Sequence, residues 1–386
     1  MQSVRVNRKG AGRVSSGHPW IFRSDILDTG GAEGGALVKV IVGDTVVGAA
    51  HYSDASQIAL RMLGQNIQTT DVEFYKTRFR NAGAFRELVV RDSTAYRLVS
   101  AEADFLPALI IDRYADWFVL QTLNQGMDRD LPAILAALQD LFQPAGIVAR
   151  NDAPSRALER LARETRVLAG EPSDVVEIEM NGLRLIADLQ KGMKTGVFLD
   201  QRENYLAASH WARGQVLDCF TSTGGFALHL ARYCEHVEAI DSSEKAIEIA
   251  RLNAQRNSID NIAFHRADVF EALDAFRAGG KRFDMIVLDP PAFAKSRSHV
   301  AQARRAYRDL NRRALQLLNP NGVLISCSCS HHVSEADLLE VIAEASLECQ
   351  VSLRVLERRM QGADHPILLT VPETLYLKCL IFQAAP

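Results

Sequence analysis

The sequence has no long apolar run, no low-complexity stretch and no strong excess of charge of either sign, and each absence narrows what the chain can be. No apolar stretch approaches the ~20 residues that cross a bilayer, so no membrane span is expected. With 47% hydrophobic residues and no biased segment, disorder is not expected either. The first residues, Met1-Gln2-Ser3-Val4-Arg5, hold no apolar core of a secretory signal, and a cytoplasmic chain is expected. Cysteine is missing from the first half. The six present (Cys219, Cys234, Cys327, Cys329, Cys349, Cys379) form no repeating framework, so reduced thiols are expected rather than disulfides. Cys327-Ser328-Cys329 has no second pair at ligand spacing, and no metal site is expected. A net charge of −3 over 386 residues argues, taken whole, against a nucleic-acid partner.

What is present falls into two or three domains' worth of chain, at roughly one per 150 residues. Residues 1–72 read as a small β unit. A β-branched run at 37–42, the turn Gly43-Asp44 and a second run at 45–49 predict a hairpin, with a closing strand at 60–63. Residues 73–174 read as an α+β module. Its elements are a helix ending near residue 88, strands at 96–100, 108–112 and 117–123, a helix at 131–142, a strand at 146–149 and a helix at 155–164. From 175 to 386 the pattern changes. Asn181-Gly182 sets a hairpin, and strands then alternate with helices up to residue 349. That alternation predicts a mostly parallel, doubly wound sheet of Rossmann-like α/β type, closed by a final antiparallel strand.

Ligands of such sheets bind beyond the carboxyl ends of the strands. The first strand-to-helix turn, Asp218-Cys219-Phe220-Thr221-Ser222-Thr223-Gly224-Gly225-Phe226, carries a glycine pair that lets backbone approach a ligand. Asp241, followed by Ser242, ends the next strand, where a ribose diol would bond. Asp268, followed by Val269, ends the third, placed for an adenine amino group. A dinucleotide site would want G-x-G-x-x-G for its pyrophosphate, and that spacing is absent. Asp218 would repel a pyrophosphate and suit a methionine ammonium. S-adenosylmethionine therefore fits better than NAD.

The fourth strand ends in Asp289-Pro290-Pro291-Ala292-Phe293. The prolines hold the exit extended, and a carboxylate followed by an aromatic suits a flipped base. On the fifth strand, alternation places Cys327 and Cys329 on one face, with Cys329 nearer the carboxyl end. A thiolate there could add to carbon 6 of a pyrimidine and make carbon 5 nucleophilic, with Asp289 stabilising the charge at N3. Charge is also unevenly spread. Residues 1–23 hold Arg5, Arg8, Lys9, Arg13 and Arg23 and no acid. After Asp289 come Lys295, Arg297, Arg304, Arg305, Arg308, Arg312 and Arg313 against the single acid Asp309. On a helix Arg304, Arg305, Arg308 and Arg312 lie opposite an apolar face, and the stripe is expected to track RNA phosphates.

These residues resemble a known family. Residues 194–202 (Lys-Thr-Gly-Val-Phe-Leu-Asp-Gln-Arg), Asp218 to Phe226, Leu288 to Pro291, Tyr307 to Asn311, Ser328 to Ser330, Ala363 to Pro366 and Leu375 to Lys378 occur in its order. The family is the large-subunit ribosomal RNA (cytosine-5) methyltransferases called methyltransferase I. More weakly, His18 to Phe22 and Ala55 to Ile58 are similar to its RNA-binding PUA barrel, and Tyr96 to Val99 with Ile110 to Tyr114 to its central domain. The resemblance implies a PUA domain over 1–72, a central domain over 73–174 and a class I S-adenosylmethionine-dependent methyltransferase domain over 175–386. It implies Gln201 and Arg202 enclosing the cofactor, Cys329 as nucleophile and 23S ribosomal RNA as partner, and it admits a homodimer. Ser222 stands where the family often has Tyr, and residues 103–107 replace a commoner glycine-containing turn. Same-fold enzymes that methylate nitrogen share Asp-Pro-Pro but lack the cysteine. A non-catalytic RNA-binding assembly factor is the alternative outside enzymes.

Overall fold

The computed structural model describes residues 1–171, 175–192, 195–294 and 296–385, which form two compact units. The first comprises residues 1–179, 187–197 and 363–374. Its first layer runs β1 (Ser3–Val6), α1 (Arg8–Ser15), β2 (Trp20–Phe22), β3 (Ile26–Asp28), β4 (Leu37–Val42), β5 (Thr45–Tyr52) and β6 (Ile58–Gly64). These strands make one sheet in the order β2-β6-β5-β4-β1-β3, antiparallel except for β1 beside β4. The hairpin expected around Gly43-Asp44 is β4–β5. Val4, Ile21, Val38, Val40 and Leu60 form its core.

The second layer holds α2 (Val72–Val89), β7 (Ala95–Ser100), β8 (Leu109–Tyr114), β9 (Trp117–Thr122), α3 (Gln125–Arg129), α4 (Leu131–Phe142), β10 (Gly146–Asn151) and β11 (Glu164–Ala169). Its sheet order is β11-β10-β9-β8-β7. The helix expected at 155–164 is not formed. Pro154–Glu159 is a 3-10 turn that ends at Arg160, whose φ of 55° lies in the left-handed region, and the chain then returns as β11 antiparallel to β10. The expected third domain is also not one block. Residues 187–197 and 363–374 join the first unit. Asp364 holds the latter segment there, accepting from the Arg97 amide at 2.9 Å with its carboxylate and from the Arg86 guanidinium at 2.9 Å with its carbonyl.

The chain enters the second unit along the hairpin β12 (Val176–Met180) and β13 (Leu183–Ala187), turning at Asn181-Gly182 as expected. There follow α5 (Arg202–Ser209), β14 (Gln215–Cys219), α6 (Gly225–Ala231), β15 (His236–Asp241), α7 (Glu244–Arg256), β16 (Ile262–Arg266) and α8 (Val269–Ala278). Next come β17 (Phe283–Leu288), α9 (Val300–Leu315), β18 (Leu318–Ser328), α10 (Glu335–Cys349), β19 (Leu353–Arg359) and β20 (Lys378–Ala384). The seven-stranded sheet has the order β16-β15-β14-β17-β18-β20-β19. Strands β16 to β18 run parallel, and β20 is antiparallel to both its neighbours, as expected of the closing strand. Strand order reverses between β14 and β17, which puts the ligand crevice at the ends of those two strands. Tyr307, Leu310 and Ala314 of α9 are fully buried in the core over this sheet, at the helical spacing the sequence shows.

No helix among the described residues is long and apolar enough to cross a membrane.

Candidate active site

The turn after β14 is wound more tightly than its glycine pair alone requires. Phe220 (φ 64°) and Ser222 (φ 50°) lie in the left-handed region as well as Gly224 (φ 90°). Each non-glycine there costs of the order of 1 kcal/mol, so strain is concentrated at this turn. Gly225 opens α6 against Tyr205. A Cβ on Gly225 would meet the Tyr205 hydroxyl at 2.4 Å, so only glycine fits. Tyr205 is itself fixed, stacked on His229 at 4.9 Å and edge-on to Phe226 at 4.8 Å. His229 is buried and neutral, its pKa pulled down to about 4 by desolvation, and its Nδ1 donates to the Gly225 carbonyl at 2.7 Å.

Asp218 lies fully buried beneath the turn. Its Oδ2 accepts from the Thr221 hydroxyl at 2.6 Å and the Ala227 amide at 2.9 Å. Its Oδ1 is buried with no partner among the described residues. Burial pushes its pKa up to about 7, against those two bonds. An orphaned carboxylate oxygen beside a strained turn is a cradle for a cationic group. Asp241 accepts from the Ser222 and Ser243 amides, at 2.9 Å each, with different oxygens, which aims the carboxylate and leaves a further lone pair on each. Asp268 caps α8 through Oδ1, accepting from Phe270 and Glu271. Asp268 and Ser242 are exposed, Phe220 and Thr223 half-buried, and Val269 buried. These residues fit a nucleoside bearing an ammonium group.

At the reaction edge, the Asp289 amide donates to the Cys219 carbonyl at 3.4 Å, joining the ends of β17 and β14. Its Oδ2 accepts from Gln201 Nε2 at 3.1 Å, and Gln201 in turn accepts from Asn204 Nδ2 at 2.6 Å. Gln201 thus orients the carboxylate of the reaction edge. Arg202 is fully buried, and its carbonyl accepts from Asn181 at 2.9 Å. A 380 Å³ cavity is lined by Phe293, His299, Gln302, Ala303 and Ala306. Phe293 packs on Tyr307 at 4.8 Å, and the Tyr307 hydroxyl bonds Ser328 at 2.9 Å and Ser330 at 3.1 Å.

The two strand cysteines differ sharply. Cys327 is fully buried opposite Cys379 in the β18–β20 ladder, and burial with that neighbouring thiol pushes its pKa well above the ordinary range. Cys329 lies just past the end of β18 and is half-buried.

A profile of the S-adenosylmethionine-dependent methyltransferase family matches residues 116–383, and a PUA-like domain profile matches residues 4–65. Ribosomal RNA large subunit methyltransferase I of Tolumonas auensis is 40% identical over 379 residues, 95% of each chain. The protein of the same description from Shewanella denitrificans is 40% identical over 376 residues, 94% of each. The chain belongs to the ribosomal RNA large subunit methyltransferase I family. Its cofactor is S-adenosylmethionine. A Streptococcus mutans protein of known structure matches 99% of this chain and 100% of its own with a TM-score of 0.84. At 20% identity that likeness speaks for the fold.

Three arginines of the basic stripe of this methyltransferase are paired within the fold, and Arg305 is exposed. Arg304 pairs with Asp337 and with Glu340 at 2.8 Å, and Arg308 with Glu344 at 3.5 Å and with Glu348. Arg312 pairs with Asp309 and lies 3.9 Å from Glu348. The acids of α10 at 337, 340, 344 and 348 repeat at helical spacing, and that stripe was the signal that α9's arginines have a partner within the fold. Lys295 lies outside the described residues. Near the N-terminus, Arg13 is 3.5 Å from Asp25 and stacks on Phe22, and Arg5 donates to the Gly43 carbonyl. Arg8 and Lys9 open α1 and are exposed. Tyr205, Asn204 and Tyr307 are site residues that sequence reasoning did not single out as such.

Proposed function

We propose that this methyltransferase forms 5-methylcytosine in the 23S RNA of the large ribosomal subunit, through a covalent adduct between Cys329 and carbon 6 of the target base. One observation carries the reading. A half-buried thiol stands just past the carboxyl end of β18, and Asp289 follows the strand beside it, β17. The curated relatives, named as ribosomal RNA large subunit methyltransferases, support RNA as the partner and the cytoplasm as the compartment.

Asp218, Asp241 and Asp268 would hold S-adenosylmethionine by its ammonium, ribose and adenine, with Gly224 and Gly225 giving it backbone access. When bound, it supplies an electrophilic methyl group on a sulfonium. Cys329 adds through its sulfur to carbon 6, while a proton taken from solvent and held between N3 and the Asp289 carboxylate, which Gln201 aims, offsets the charge that develops on the ring. Carbon 5 would then take the methyl group, a base from solvent would remove the carbon 5 proton, and the carbon 6–sulfur bond would break with its electron pair returning to Cys329. The Phe293 cavity offers an aromatic wall for the extruded base.

Cys329→Ala tests the reading. Turnover should fall below detection, and RNA bearing 5-fluorocytosine should form a denaturation-stable complex with the wild type only. Undiminished turnover in the variant would assign the enzyme to nitrogen methylation instead.

A further inference from the structure

We propose that Lys378 is a positioning residue for Cys329, its ammonium stabilising the ionised sulfur; this rests on the covalent reading above. The β18–β20 ladder pairs Lys378 with Ser328, the residue before Cys329. The side chain then reaches past the nucleophile. Its Nζ donates to the carbonyl of Ser330, the residue after Cys329, at 2.8 Å, and to the Tyr376 carbonyl at 2.9 Å. The backbone of Lys378 is thus paired just before the thiol, and its ammonium is fixed on the carbonyl just after it. Lys378 is 6% exposed, and so deep a lysine is rare without a charge to serve. Two of its three hydrogens are on carbonyls, and the third has no acceptor among the described residues.

The nucleophile needs such a cation. A cysteine attacks as its thiolate, and a cation beside it favours that form. Tyr307, facing the site from α9, is bonded to Ser328 and Ser330, and burial raises its pKa, so it stays neutral. Cys327 is a buried thiol held well above the ordinary range, and Cys379 beside it is likewise fully buried. His331 is held neutral by burial and by Lys378 itself. Burial pulls Lys378 down to about 8, opposed by the Cys329 sulfur and by Asp337 and Glu335 of α10. It remains cationic at neutral pH. In the step, the Cys329 thiol releases its proton to solvent, the sulfur lone pair adds to carbon 6, and Lys378 keeps its own protons throughout.

The test is alkylation of the full chain by iodoacetamide across pH, read by mass spectrometry on the Cys329 peptide. At pH 7, Lys378→Met should react about tenfold more slowly than the wild type, its profile displaced upward by about one pH unit, and Lys378→Arg should restore most of the rate. Identical profiles in wild type and a folded Lys378→Met would overturn the proposal. Should Lys378→Met fail to fold, a wild-type midpoint at pH 9 or above overturns it equally. Retained turnover in Cys329→Ala, by contrast, ends the covalent reading and leaves the alkylation result standing.

Discussion

Asp218→Asn should remove a pH dependence of stability that the wild type carries. In the folded chain the carboxyl pKa is pushed from 3.8 to about 7 by burial, while in the unfolded chain it titrates at its ordinary value. Between those values the native state binds more protons than the unfolded one, so stability falls as pH rises. The contribution is fully present below about pH 4 and lost on passing pH 7. Integrating over pH 5 to 8 gives about 2.5 kcal/mol for this one group. The asparagine keeps an oxygen to accept from Thr221 and Ala227, so most of the local structure survives. Urea unfolding of both proteins at pH 5 and pH 8 reads the difference. The variant should lose relative to wild type at pH 5 and gain by ~2.5 kcal/mol on moving to pH 8, while its affinity for S-adenosylmethionine falls at least tenfold. An equal difference in stability at both pH values would refute the burial argument.

Gly225→Ala drives a Cβ into the clamped Tyr205 hydroxyl, and a cost of about 1–3 kcal/mol with weakened cofactor binding in calorimetry is expected. Arg308→Ala removes exposed pairs to Glu344 and Glu348; it should cost about 0.5–1 kcal/mol, less at high salt, and leave RNA affinity in filter binding unchanged. Arg8→Ala with Lys9→Ala should weaken RNA binding and lower the slope of log affinity against log salt by about 2. Ala101→Gly relieves a φ of 45° and should raise stability by about 1 kcal/mol in thermal unfolding.

The site was legible in the sequence where its chemistry is local to a strand end. Asp218, Asp241 and Asp289 each follow a β-branched or apolar run, and Cys329, on the same face as Cys327, is set apart by lying nearer the strand's carboxyl end. What was hidden depends on partners distant in the chain. The α9 arginines read as an RNA surface because their acids lie in another helix some 30 to 40 residues on. Lys378 read only as part of a family motif, since nothing beside it in sequence foretells burial against Ser330. The same holds for the fold. Residues 363–374 return to the first unit through Asp364, which bonds Arg97 across 267 residues, and no local pattern announces that. The missing helix at 155–164 failed for a local reason, the left-handed Arg160, which composition does not reveal.

The central claim, cytosine carbon 5 as the methyl acceptor, is tested most directly by nucleoside mass spectrometry of 23S RNA treated with the purified chain and isotopically labelled S-adenosylmethionine. Label in 5-methylcytosine with the wild type, and none with Cys329→Ala, is the predicted result. Label on a ring or exocyclic nitrogen, with Cys329→Ala still active, would contradict it.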